Sequence, residues 1–228
     1  AETILGNPDK AQAILQFLDK LTRNIFRWKW EQTLLANELG MEDLIFGNIN
    51  FAIKHGKKVQ DAFQLYDGIL HKNVLRLSEV LDTDNLISYM EWIIRWGRAE
   101  DAGIVWEKII NSGIQNKKIK MKYIHFLVSQ KKIKQAADIR RQSLGNVDRI
   151  TNPGFETEIT GRGFDWRYTA NQKGKWTIRR TLSGAFSGAH CIKIRFEGKE
   201  NITFSHLYQI VPIDPMTSYR LTYHWRSR

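Results

Sequence analysis

The first 145 residues carry apolar side chains at helical spacing. One run consists of Ile14, Leu15, Leu18, Leu21 and Ile25, and similar runs occupy 93–96 and 105–110. Intervals of three and four residues place such side chains on one face of a helix, and packing then buries that face. The pattern predicts a succession of amphipathic helices over residues 1–147.

Several helix boundaries can be predicted in this region. Pro8 is the only proline before Pro153, and its fixed φ angle suits the first position of a helix. Residues 82–84 (Asp-Thr-Asp) supply N-cap candidates for the helix that follows them. Gly97 and Gly113 come where apolar runs end, so we expect each to stop a helix.

The pattern changes near residues 145–148. Beyond this point glycine becomes frequent, and apolar and polar residues alternate in the runs at 176–179, 191–196, 202–204, 207–211 and 219–225. A period of two between turn residues is typical of antiparallel strands with one buried face. The expected fold class is therefore α+β as two separate domains, an all-α domain at 1–147 and an antiparallel β-sandwich at 148–228.

A short phrase recurs in the helical part. It reads GRAEDA at 97–102 and KKIKQA at 131–136, which is 34 positions later, with variants GKKVQDA at 56–62 and GNPDKA at 6–11. The phrase resembles the tetratricopeptide repeat, whose period is about 34 residues. That resemblance implies a solenoid of helical hairpins over about 6–145, with a concave surface for a protein partner. An ordinary irregular helical domain is the alternative.

The second part contains four phrases in a fixed order. They read NPGFE at 152–156, GFDW at 163–166, SGAHCIKI at 187–194 and YQIVPIDPMTSYRL at 208–221. Their order and spacing resemble the galactose-binding-like jelly-roll carbohydrate-binding modules. Because a jelly roll has about eight strands, the resemblance implies a sandwich that lacks its last strands. An open sheet edge of that kind would pair with a second copy, giving a homo-oligomer.

Glycan recognition by such a module would use aromatic faces that stack on sugar rings, with polar groups for the hydroxyls. The candidates for this role are Trp176, Tyr168, Arg179 and Trp166. Trp166 stands at the signature aromatic position of the family, where a core role is the alternative. The resemblance also gives Glu156 as a ligand for a structural calcium ion, although Ca²⁺ requires six to eight oxygens. No other cofactor is expected.

The net charge of +11, from 35 Lys and Arg against 24 Asp and Glu, indicates an anionic partner. Nucleic acid, anionic lipid and acidic polysaccharide all qualify. The candidate anion patch consists of Lys117, Lys118, Lys120, Lys122, Lys131, Lys132 and Lys134. A solvated helix face is the alternative reading of this charge run.

The sequence lacks the usual catalytic signatures. It has no Gly-rich phosphate loop, no His-Glu-x-x-His and no Gly-x-Ser-x-Gly, and its single cysteine, Cys191, excludes an internal disulfide. We therefore expect a non-catalytic binding or scaffold protein. The combination of repeat helices with such a sandwich resembles proteins of bacterial exopolysaccharide and cell-envelope systems, and this resemblance implies protein and polysaccharide contacts in exopolysaccharide biosynthesis or export. A nucleic-acid-binding helical repeat and an ancillary part of a glycan-processing enzyme are the alternatives.

The same resemblance implies a location in the periplasm or at another extracytoplasmic site in a bacterium. Membrane anchoring through a removed N-terminal segment is one form of this expectation, and the cytoplasm is the alternative. No apolar run in the chain approaches the roughly 18 residues that a membrane span needs.

Overall fold

A computed structural model describes residues 6–23, 25–69, 73–144, 149–172 and 174–227. Within these ranges the helices are α1 Pro8–Leu21, α2 Phe26–Glu38, α3 Glu42–Lys54, α4 Val59–Ile69, α5 Val74–Val80, α6 Thr83–Arg95, α7 Ala99–Asn111, α8 Lys117–Ser129 and α9 Ile133–Leu144. The strands are β1 Arg167–Tyr168, β2 Asn171–Gln172, β3 Trp176–Thr181, β4 Cys191–Phe196 and β5 Leu207–Tyr208. The predicted order, helices first and antiparallel strands second, is confirmed.

The chain separates into two compact units, Ala1–Ile119 and Lys120–Arg228. The change from helix to strand falls between residues 144 and 167, near the expected boundary at 147/148. The second unit nevertheless begins earlier, because it includes most of α8 and all of α9 together with the strands. Helix and sheet are therefore combined in that unit.

Contacts inside the second unit show how its helices and loops are joined. The backbone N–H of Gly163 donates to Nδ1 of His125 at 3.1 Å, and the Arg140 guanidinium lies 5.5 Å from the centre of the Phe164 ring. Burial, with the nearby cations Arg162 and Arg167, lowers the pKa of His125. The ring stays neutral more readily, which suits a nitrogen that accepts a hydrogen bond.

The predicted helix starts are confirmed. Helix α1 begins at Pro8, and the side chain of Asn7 caps it by accepting from the N–H of Lys10 at 3.2 Å. Helix α6 follows Asp82, whose carboxylate accepts from the N–H of Asn85 at 2.9 Å. Each cap satisfies a backbone donor that the first helical turn leaves unpaired.

The recurrent phrase forms a Schellman turn each time it follows a helix. After α3, Gly56 adopts φ +65° and the next N–H, that of Lys57, donates to the carbonyl of Ala52 at 2.9 Å. Gly97 repeats this geometry after α6, and Lys131 repeats it after α8 with φ +60°. A left-handed residue lets the last carbonyls of the helix find donors. Lysine thus occupies a position where glycine is favoured.

The alanine is buried in three of the four copies of the phrase, and Ala11 of the first copy is half-buried. Ala62, Ala102 and Ala136 are all fully buried. A methyl group at this point allows two helix backbones to approach closely. In the first unit α2 packs on α3, α6 packs on α7, and α3 contacts both α4 and α6. In the first unit the phrase therefore coincides with helices that pack against each other.

A polar network connects three helices of the first unit, α4, α6 and α7. Asp67 of α4 is buried, accepts from the Tyr89 hydroxyl at 3.1 Å and pairs with Arg98. Arg98 also pairs with Asp101 in the first turn of α7. Burial alone would lower the pKa of Arg98, but its hydrogen bonds to the two carboxylates raise it instead. Burial and the nearby Asp67 charge raise the pKa of Tyr89.

The strands form two small antiparallel sheets, one of β2-β3-β4 and the other of β1-β5. In the first, Trp176 pairs with Phe196 and Ile178 with Ile194, so these side chains share one face. Trp176 and Ile178 are buried on that face. The sandwich predicted from the sequence remains a hypothesis, since the described strands amount to these two sheets.

Two of the predicted strands do not form. Residues 202–204 and 219–225 belong to neither sheet of the described structure. Alternation says which side chains share a face, but a strand also needs a neighbour that supplies backbone partners. Leu221, Tyr223 and Trp225 stand exposed as a result, whereas Phe204 packs its ring edgewise against Trp176.

Candidate binding surfaces of the second unit

Glu156 joins two of the phrases that carry the carbohydrate-module resemblance. Its Oε1 accepts from the backbone N–H groups of Ala189 and His190 at 3.0 and 3.2 Å. Its Oε2 lies 3.0 Å from Nδ1 of His190. Hydrogen bonds from the side chain and backbone of His190 lower the pKa of Glu156. The carboxylate therefore serves as an anchor between residues 152–156, the motif loop, and residues 188–190.

Gly188 is required by this anchor. Its φ is +71°, and a Cβ added there would lie 2.1 Å from Oε1 of Glu156. The glycine lets the backbone turn in the left-handed region and approach the carboxylate closely. The Ser-Gly pair at 187–188 and the Phe-Glu pair at 155–156 thus lie on the two sides of one contact.

The motif loop is also held from the sheet. Arg180 donates from Nε to the carbonyl of Phe155 at 2.6 Å and from Nη2 to that of Glu156 at 2.7 Å. Phe155 has φ +58°, a region that a bulky residue rarely adopts. Its ring packs against Trp166 with centroids 5.0 Å apart. These contacts stabilise an otherwise unfavourable backbone conformation.

Two of the expected glycan residues are packed into the unit. Trp176 is 2% exposed, its ring stacks on His206 at 4.0 Å, and its Nε1 donates to the carbonyl of Thr169. Half-buried Trp166 donates from Nε1 to the carbonyl of Asn152 at 3.1 Å. Both rings make their contacts with other residues of the chain. Because Trp176 is buried, neither face of its ring is open to a sugar.

The other two expected glycan residues reach solvent. Tyr168 is 37% exposed on β1, and Arg179 is exposed on β3. They belong to different sheets, so they do not form one stacking platform. Arg179 belongs instead to the outer face of the β2-β3-β4 sheet.

The outer face of that sheet is basic. Arg179 lies directly opposite Lys193, and Arg195 lies opposite Thr177. All three cations are exposed, and none has an ion-pair partner within the described ranges. We call Arg179, Lys193 and Arg195 the basic sheet face. Sequence reasoning missed Lys193 and Arg195, although alternation over 191–196 already places them on one face.

The predicted anion patch divides into two groups. Lys117, Lys118 and Lys120 lie at the start of α8, whereas Lys131, Lys132 and Lys134 follow its C-terminal end. A helix of 13 residues rises about 18 Å between its ends. Lys122 lies part-way along α8 and is half-buried. Six of the seven lysines therefore form two separate basic groups, and Lys122 lies between them.

The calcium expectation for Glu156 stays a prediction. Both of its carboxylate oxygens are engaged by residues 189–190. In the part of the chain that the structure describes, no three His, Cys, Asp or Glu side chains come together as metal ligands. The backbone carbonyl of Glu156 accepts a hydrogen bond from Arg180.

Comparison with protein-family models, curated proteins and solved structures finds no match for this chain. Among the described helices, none combines the length and apolar character that crossing a bilayer requires.

Proposed function

We propose that this chain is a non-catalytic binding and scaffold protein whose second unit binds an acidic polysaccharide and whose helices contact a protein partner. The setting we propose is bacterial exopolysaccharide biosynthesis or export, outside the cytoplasm. The resemblance of the second part to carbohydrate-binding modules supports a glycan. The basic sheet face indicates that this glycan is negatively charged.

The basic sheet face is the observation that carries the proposal. Side chains directly opposite each other in an antiparallel pair have Cβ atoms about 5 Å apart, and like charges at that distance repel. Arg179 and Lys193 occupy such a pair on an exposed surface. A bound carboxylate between the two cations would relieve the repulsion, and Arg offers it a two-pronged hydrogen bond. Regularly spaced uronate carboxylates fit a row of this kind.

Binding to immobilised polygalacturonate, with neutral dextran as the control polymer, tests the proposal. Arg179→Gln combined with Lys193→Gln is expected to abolish retention on polygalacturonate, because it removes the facing cations without touching the buried face. Lys199→Gln, an exposed change outside the sheet, is the matched control and should leave retention intact. Rising salt should elute the wild type. Equal retention of all variants would refute a site on this face.

Nucleic acid remains the alternative ligand because of the lysines at the start of α8. No acidic residue balances them in the first turn, where the helix dipole disfavours positive charge. A single-stranded oligonucleotide should bind with steep salt dependence if this alternative holds. Loss of that binding in Lys117→Gln/Lys118→Gln, with polygalacturonate retention absent in the wild type, would favour nucleic acid.

Exposed apolar side chains along α1 support the protein contact. Phe17 and Leu18 each lie three or four positions from Ile14 and from Leu21, and all four side chains are at least 40% exposed. A stripe of this kind is typical of a helix that packs against another element. A partner recovered with the wild type should be lost with Phe17→Ser and kept with Leu75→Ser, a matched change at an exposed leucine of α5. Equal recovery with both variants would argue against α1.

A further inference from the structure

Residues 160–167, which we call the docking loop, contact helix α8. Gly163 of this loop is buried and has φ +56°, and a Cβ added there would lie 3.5 Å from the side chain of Ile124. The loop backbone therefore approaches the helix closely. Phe164, the next residue, is 4% exposed. In such a buried position the backbone N–H of Gly163 needs an acceptor within the protein.

The acceptor is a histidine of α8. The N–H of Gly163 donates to Nδ1 of His125 at 3.1 Å, so the neutral ring carries its own hydrogen on Nε2. A proton added to Nδ1 would leave two donors facing each other across this distance, and the hydrogen bond would be lost. A protonated His125 is therefore incompatible with the contact as it stands.

The charges around this histidine also oppose a positive ring. Burial, and after it the nearby Arg162 and Arg167 of the docking loop, lowers the pKa of His125. Arg140 of α9 contacts the same loop, and Lys122 lies one turn before His125 on α8. A proton on the ring would add a further positive charge beside these cations.

The docking loop keeps its shape through Asp165, its single carboxylate. Oδ2 of Asp165 accepts from the N–H and from the hydroxyl of Thr160, both at 2.7 Å. Oδ1 accepts from the N–H of Trp166 at 2.8 Å. Because these bonds lie within the loop, they do not depend on α8. Loss of the contact with His125 would leave the internal structure of the loop in place.

We propose that the contact between His125 and Gly163 is an acid-sensitive switch, in which protonation of His125 releases the docking loop from α8. The loop has two states, docked with Phe164 buried, and released; a neutral ring favours the first and a protonated ring the second. Since the pKa of His125 is lowered in the docked state, docking is complete above the ordinary histidine value of about 6.5 and is lost as the pH falls through the lowered value. The switch lies within the second unit and does not rest on the proposed function.

An NMR titration of the histidine rings, combined with amide hydrogen exchange of the whole chain, tests the proposal. We expect the ring of His125 to titrate below a pH of about 6.5. Between about pH 7.5 and about pH 5 the protection factor of the Gly163 amide should fall, by up to about tenfold for each unit by which docking lowers the pKa of His125. The amide of Ala136, which donates to the carbonyl of Lys132 in the same unit, is the reference and should keep its protection.

His125→Gln keeps an amide oxygen as an acceptor and does not titrate, so Gly163 should stay protected at the lower pH in this variant. His55→Gln, a matched change at an exposed histidine of the first unit, should leave the acid loss in place. Titration of His125 at or above a pH of about 6.5, an unchanged protection factor at Gly163, or an equal acid loss in His125→Gln would overturn the proposal. Parallel loss of protection at Gly163 and Ala136 would overturn it as well, because acid would then unfold the whole unit. The wild-type titration decides if His125→Gln does not fold.

Discussion

Replacement of Gly188 by alanine tests the anchor between the motif loop and residues 188–190. The new Cβ would lie 2.1 Å from Oε1 of Glu156, and ordinary contact begins at 3.4 Å. The carboxylate must therefore retreat by about 1.3 Å, which exceeds the slack of a hydrogen bond. Its bonds to the amides of Ala189 and His190 should be lost together.

Gly198→Ala is the matched control for this change. Gly198 also has φ +71°, but a Cβ there would meet no atom within 4 Å. Both substitutions carry the cost of placing alanine in the left-handed region, about 1–2 kcal/mol. Gly188→Ala should lower the melting temperature further than Gly198→Ala, since it alone displaces Glu156.

The assay combines thermal unfolding with hydrogen exchange of the Ala189 and His190 amides. Exchange at these amides should accelerate in Gly188→Ala and stay slow in Gly198→Ala. In a Glu156→Ala background the difference between the two glycine variants should disappear, because the clashing carboxylate is gone. Equal melting temperatures for the two single variants would refute the anchor.

Three further outcomes follow from burial and charge. Trp176→Ala should cost about 3–5 kcal/mol of unfolding free energy in denaturant titration, whereas Tyr168→Ala, at an exposed position, should change it by less than about 1 kcal/mol. Arg98→Met should cost roughly 3 kcal/mol, because it leaves the buried Asp67 carboxylate unpaired; a neutral result would show that the network is dispensable. The pKa of Glu156 is lowered in the fold, so its stabilising contribution is complete above the ordinary glutamate value of about 4.3 and is lost as pH falls through the folded pKa. Melting temperatures measured across that range should fall less steeply in Glu156→Gln, and an identical slope would contradict the assignment.

The helical part could largely be predicted because its signals are local. A cap such as Asp82 and a stop such as Gly97 act on backbone groups within one helical turn. Buried Ala62 and Ala102 likewise follow from the recurrent phrase. The burial of Lys29 on α2 could not be predicted, since it depends on which helices pack around α2.

The strands were harder to predict because pairing is not a local property. The run at 219–225 alternates as well as the run at 191–196, yet only the latter has a neighbour that completes a ladder. The residues expected to bind a glycan illustrate the same point, because their exposure depends on which face of the sheet is covered. Trp176 and Arg179 are three positions apart on one strand, and the sheet face alone decides that Trp176 is buried and Arg179 exposed.

The left-handed conformation of Phe155 has a consequence for folding kinetics. It costs roughly 1–3 kcal/mol for a bulky residue, and the groups that offset it come from far along the chain: Arg180 and, through Glu156, His190. Because the motif loop needs those partners, we expect it to form late in folding, after the transition state. Weakening it should speed unfolding and leave the rate of folding almost unchanged.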